Sequence, residues 1–117
     1  MIRQVVLIIS SDALAAALLG AAVELAGHAP HFSQTDEPPR AALLRIRPRL
    51  TIIDCDHEAC SDEFVGPAIM TGARVVLFRS HRSERDISEF ASRLGLRVVD
   101  MPIDHETLTG LLQEMLA

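Results

Sequence analysis

The run Leu50-Thr51-Ile52-Ile53 is short, rich in β-branched residues and free of charge until it stops on Asp54. Such a run reads as a strand buried on both faces, the situation of a parallel sheet covered by helices on either side. Four further strand signals accompany it: Gln4–Ile9, a short stretch around His31-Phe32-Ser33, Arg74–Phe78 and Leu96–Val99. Helix signals fall between them. Ser10-Ser11-Asp12 offers capping side chains for a helix from Ala13 to Ala26, with Gly27 as its stop. Thr35-Asp36-Glu37 with Pro38 and Pro39 predicts a second helix start, and that helix ends before Pro48. A third helix is expected across Asp62 to Thr71, made irregular by Gly66-Pro67. Ser83-Glu84-Arg85-Asp86 opens a fourth that stops at Gly95, and Asp104 caps a last one through Met115.

Strands and helices that alternate over short loops imply right-handed crossovers and one parallel sheet. Five strands in 117 residues fit a flavodoxin-like three-layer α/β/α sandwich, a five-stranded parallel sheet of order 2-1-3-4-5, as a single domain spanning 1–117. The chemistry of such sheets gathers beyond the carboxyl ends of the strands, at the point where the strand order reverses. That point lies between the first and third strands, so Ser10, Ser11 and Asp12 are expected beside Asp54.

Hydrophobic residues make up 49% of the chain and aromatic ones only 3%, with no Trp or Tyr, so the core must be Val, Ile, Leu and Ala. A net charge of −5 argues against nucleic acid as the main partner. All 11 basic residues are Arg, which excludes any mechanism that needs a lysine. Arg40, Arg45, Arg47 and Arg49 read as a solvated helix face. The longest apolar stretch without a charge lies between Asp12 and Glu24, too short for a membrane span. The N-terminus runs straight into a strand with no signal peptide, so the expected compartment is the cytoplasm. Cys55 and Cys60, with His57 between them, lack zinc-finger spacing and read as two semi-buried thiols in a reducing cytosol.

In this arrangement nearly the whole chain resembles a response-regulator receiver domain. Pro48-Arg49-Leu50-Thr51-Ile52-Ile53-Asp54 is similar to the segment leading into that family's phospho-accepting aspartate. Ala91 to Gly95 is similar to its fourth helix and stop, and Met101-Pro102-Ile103-Asp104 to its Lys-Pro-Phe-Asp stretch. The resemblance makes Asp54 the phospho-acceptor candidate, served in the family by Mg²⁺ and by a histidine kinase or small phosphodonor. Its helpers are replaced. Ser10 and Ser11 stand where the family has its acidic pair, while Asp12, one residue on, reads as a helix cap. Arg79, with Ser80 next to it, stands at the Ser/Thr position, Met101 at the lysine and Val98 at the aromatic switch residue. Only Asp54 and Pro102 remain of the set.

Phosphoryl transfer depends on positioning and on stabilising the charge that develops, and losing several contributions of about 2–4 kcal/mol each leaves little rate. The expectation is therefore an atypical receiver, a pseudo-receiver that is not an enzyme. It would hold no Mg²⁺ or other metal and would act by protein–protein interaction. Arg79, always charged, is predicted to reach Asp54 as a bidentate pair. By resemblance the partner is a histidine kinase or an effector domain, or a second copy in a homodimer. The fourth helix, fifth strand and fifth helix form that face, with Arg82, Arg85, Arg93 and Arg97 among its polar parts.

Three alternatives stand beside it. A conventional receiver would still be phosphorylated on Asp54. Asp54-Cys55-Asp56 also forms the DxD of a haloacid dehalogenase-type phosphohydrolase, but it follows the third strand rather than the first and no lysine accompanies it. Asp56 then reads as a loop residue supporting the turn. Flavin-like ligand binding would want glycine-rich loops and stacking aromatics, and Ser10-Ser11-Asp12 has no glycine, although an anion at this helix N-terminus is compatible with it.

Overall fold

The computed structural model describes residues 2–34, 36–80, 83–101 and 103–117. Five strands, β1 (Val5–Ile9), β2 (Ala29–Phe32), β3 (Leu50–Asp54), β4 (Arg74–Ser80) and β5 (Arg97–Met101), form one parallel sheet of order β2-β1-β3-β4-β5. Between and after them run α1 (Ala13–Leu25), α2 (Pro39–Ile46), α3 (Asp62–Met70), α4 (Ser88–Leu94) and α5 (His105–Met115). Successive strand residues point to opposite faces, which divides the core in two. Leu7, Ile9, Ile53, Val75 and Leu77 pack under α2, α3 and α4 through Leu43, Val65, Ala68 and Ala91. Val6, Ile8, Ile52, Val76 and Phe78 pack under α1 and α5 through Leu19, Val23, Leu108 and Leu112. This is the three-layer flavodoxin-like sandwich, and every residue of β3 is buried.

Element ends differ from the sequence expectation for identifiable reasons. β2 starts at Ala29, ahead of His31, because the Ala29 N–H bonds Gln4 O at 2.8 Å as soon as Gly27 has turned the chain. Pro30 sits within it, tolerated because β2 is an edge strand. The Phe32 ring lies over α1 so closely that a Cβ on Gly20 would meet its Cζ at 2.8 Å. α2 begins only at Pro39, with Pro38 in the N-cap position, and Thr35 lies outside the described residues. Glu37 organises the approach instead, accepting the Gln34 N–H at 2.9 Å and a two-pronged bond from Arg45 at 2.8 and 2.9 Å. The Arg45 guanidinium, helped by that N–H, holds the Glu37 carboxyl at about 2. α3 runs through Pro67 without a break, since the carbonyl left without a donor belongs to exposed Glu63.

The fourth helix starts at Ser88 rather than in Ser83–Asp86. Side chains there bond sideways and forward rather than capping a helix at residue 83. Asp86 accepts from the N–H and hydroxyl of Ser88, and Arg85 reaches across to the loop after β3. β4 continues to Ser80 and β5 to Met101, both beyond their expected ends.

Thr51 is fully buried on the α2–α4 side, and its Oγ1 has no hydrogen-bond partner among the described residues. An unsatisfied buried hydroxyl costs about 1–3 kcal/mol. Thr51→Val, close in shape, is therefore expected to stabilise the protein by about 1 kcal/mol. A raised urea midpoint at unchanged slope would show it, and an unmoved midpoint would mean that the hydroxyl finds a partner in solution.

Candidate functional site

A cleft of about 460 Å³ opens at the carboxyl ends of β1, β3, β4 and β5. Ser11, Asp12, Asp54, Asp56, Ser80 and Met101 line it together with Phe78 and the first turns of α1, Leu14, Ala15 and Leu18. Sequence position accounts for the gathering. Asp54 lies opposite Phe78 in the β3–β4 register, and Ser80 lies opposite Met101 in the β4–β5 register. The even-numbered residues of β3 and β4 face the α1–α5 side, so Asp54 and Ser80 share that face.

Asp54 is 5% exposed and both its oxygens accept hydrogen bonds. Oδ1 takes the Asp56 N–H at 2.9 Å, and Oδ2 lies 3.2 Å from the Ser10 hydroxyl. Ser10 also accepts the Asp12 N–H at 3.0 Å and lies 3.2 Å from Asp12 O, so its single proton serves one oxygen at a time. Asp12 caps α1, its Oδ1 accepting from the N–H groups of Leu14 and Ala15 at 3.0 and 3.2 Å. Asp56 accepts from the Ser83 hydroxyl at 2.8 Å.

The expected pair between Arg79 and Asp54 is not formed. Arg79 bonds Asp100 instead, with Nε and Nη2 both 2.8 Å from Oδ1. The reason is strand parity. With β4 extended to Ser80, Arg79 stands opposite Asp100 in register and on the face away from Phe78 and Asp54. Ser80, not Arg79, is the polar residue at the end of β4 that reaches the cleft. Pro102, like Arg82, lies outside the described residues.

Asp54, Cys55 and Asp56 bring their ligand atoms within 4.8 Å of one another. A Mg²⁺ ion takes oxygen ligands in near-octahedral array, largely carboxylates and water. The third donor here is a thiol, and burial pushes Cys55 and Cys60 above the ordinary cysteine value, which keeps both protonated. The Asp54 and Asp56 carboxylates already accept hydrogen bonds, and two hydroxyls, Ser10 and Ser11, follow β1. The cluster thus offers two carboxylates and a neutral thiol, with Asp12 a third carboxylate on the cleft wall. Among the described residues lining the cleft none is basic.

Two residues outside the sequence-derived set shape the site. Arg85 spans the cleft's rear loop, Nη1 donating to Cys55 O at 2.8 Å and Nη2 to Cys60 O at 2.7 Å. Ser83 bonds Asp56, and its Oγ lies 3.5 Å from Cys55 Sγ. Arg85 therefore clamps the loop after β3 instead of belonging to an α4 surface. Of the other cations on the expected partner face, Arg93 pairs with Asp62 and Arg97 with Glu114, each at 3.0 Å. The large exposed apolar side chains lie elsewhere: Leu14, Leu18 and Leu25 on α1 are 69%, 56% and 74% exposed, and Ile2, Phe32, Leu44, Ile69 and Met70 are scattered over β2, α2, α3 and the N-terminal segment.

No protein-family profile and no curated protein matches the sequence. Solved structures do match. The signal receiver domain of a modulated diguanylate cyclase from Desulfovibrio desulfuricans superimposes with a TM-score of 0.76 at 22% identity, over 98% of this chain and 94% of that one. The chemotaxis protein CheY4 of Vibrio cholerae gives 0.75 at 16% identity, over 97% and 99%. A response regulator receiver protein from Burkholderia phymatum gives 0.75 at 16%, over 97% and 95%. The fold is that of response-regulator receiver domains.

Proposed function

We propose that this chain is an atypical receiver-like signalling module that works through a protein partner and is not phosphorylated by the Mg²⁺-dependent route. The observation that carries this reading is the composition of the cleft. Asp54 is enclosed by a hydroxyl and a backbone N–H, other carboxylates stand nearby, and no described lining residue is a cation. A phosphoryl group arriving there would add negative charge with nothing to offset it. On this reading the protein is not an enzyme, needs no metal and acts in the cytoplasm. None of its described helices is long and apolar enough to cross a membrane.

The similar structures come from a diguanylate cyclase, a chemotaxis protein and a response regulator, which supports a signalling partner such as a kinase or effector domain. The exposed Leu14 and Leu18, continuous with the cleft, favour α1 as the docking element. Of the described cations expected on the α4–β5–α5 face, Arg93 and Arg97 are held in local ion pairs and Arg85 is bonded to two carbonyls.

One observation favours a second reading, in which Asp54 is still phosphorylated. Ser80 ends β4 on the same face as Asp54, where a hydroxyl could bond a phosphoryl oxygen. Beryllofluoride or acetyl phosphate with Mg²⁺ separates the two. Under the proposed function the amide resonances of Ser10, Asp54, Asp56 and Ser80 stay where they are. A saturable shift of these resonances, absent in Asp54→Asn, would transfer the protein to the second reading.

A further inference from the structure

Five of the chain's 11 arginines are committed. Arg45, Arg79, Arg93 and Arg97 form ion pairs with carboxylates, and Arg85 is spent on two carbonyls. Arg3, Arg47, Arg49 and Arg74 are exposed and have no carboxylate partner among the described residues. They converge at one place, the amino ends of the strands, opposite the Asp54 cleft. The Arg49 N–H bonds Val5 O at 2.9 Å and the Arg74 N–H bonds Arg49 O at 3.0 Å, which sets the starts of β1, β3 and β4 side by side. By strand alternation Arg74, like Leu50 opposite it, turns to the α1–α5 face, away from Arg49. Arg3 precedes β1 by two positions, and Arg47, at φ 51°, closes α2 and turns the chain toward β3.

Arg3, Arg47 and Arg49 frame a depression of about 360 Å³ together with Gln4, Thr71 and Gly72, and no acid is among its described lining residues. Gly72 has φ +90° and open space where a Cβ would be, so a ligand can approach the backbone there. In a chain of net charge −5, a group of guanidiniums without acids to neutralise it repels itself. A planar guanidinium binds phosphate in two-pronged fashion, which makes arginine the suited cation for such a ligand.

We propose that this depression is a binding site for a small, multiply charged phosphorylated molecule, engaged by Arg3, Arg47 and Arg49. The absence of Trp and Tyr from the chain and of Phe from the lining leaves no ring for a base to stack on, so recognition falls on the phosphates. The site lies at the far end of the sheet from Asp54 and is independent of whether Asp54 is phosphorylated.

Inorganic tripolyphosphate is the probe, titrated into the full chain by calorimetry and by amide spectra at about 0.15 M salt, where surface charges more than about 8 Å apart are screened. Saturable binding is expected, with shifts at Arg47, Arg49 and Gly72 and none at Asp54. Arg49→Gln, and separately Arg3→Gln with Arg47→Gln, should each weaken binding about tenfold or more. Arg40→Gln, on α2 and outside the depression, should leave it unchanged. Circular dichroism and the urea midpoint check that the variants are folded. The proposal is overturned by non-saturable binding at that salt, by shifts centred elsewhere, or by equal weakening in Arg40→Gln. It is also overturned if the patch variants change only a concentration-dependent self-association, which would make this end a contact for the acidic cleft of a second copy.

Discussion

Ile53→Ala is expected to destabilise the protein by about 2–5 kcal/mol, a large fraction of the stability of an ordinary small domain. Ile53 is 0% exposed, and its register partners Ile9 and Leu77, in the strands on either side of β3, are 0% exposed too. Removing its branched side chain opens a cavity that neither strand can close without moving the sheet. Because Ile53 precedes Asp54, loosening there should also reach the cleft. Urea unfolding measures the loss, and amide exchange of Asp54 and Asp56 should rise with it. A loss below about 1 kcal/mol would mean that α2 and α3 collapse onto the space, and that the layer is less rigid than its burial indicates.

Arg85→Ala has the second largest expected effect, about 1–3 kcal/mol, with faster amide exchange across Ser83–Ile87 and Cys55–Cys60. The guanidinium ties two carbonyls of the loop after β3 to the loop before α4, and its loss leaves both without that donor. Arg85→Lys should not restore stability. An ammonium is a point donor and lacks the flat fork that meets Cys55 O and Cys60 O together. Full rescue by lysine would show that charge alone holds these loops.

The layer order and sheet topology were legible because short apolar runs, β-branched and buried in β1, β3 and β4, alternate with helical segments along the chain. The neighbourhood of Ser10 and Asp54 was legible for the same reason, as it follows from where a sheet of this order reverses. Three features were not. Arg79-Ser80 reads as loop because it is polar, yet strand pairing is a backbone property and continues where a charge finds a partner in register, as Arg79 does in Asp100. Once β4 is two residues longer, its alternation sends Arg79 to one face and Ser80 to the other. Adjacency of strand ends in sequence does not contain that parity. Ser83-Glu84-Arg85-Asp86 has the composition of a helix start, but its side chains are used across space, by Asp56 and two carbonyls, and local pattern holds no information on that. The leucines of α1 were legible as helix, but nothing in an almost uncharged helix says which of its sides the fold leaves uncovered.

The two borders of the sheet have a consequence for how the protein can meet others. At one border β2 is four residues long and carries Pro30, which has no N–H to give. At the other, β5 carries the charged residues Arg97 and Asp100, whose ion pairs run to Glu114 on α5 and inward to Arg79 on β4. A visiting strand would find a missing donor on one side and a picket of charges on the other. Strand addition is disfavoured at both ends, which also guards the molecule against edge-to-edge polymerisation. Any partner has to read helices and loops.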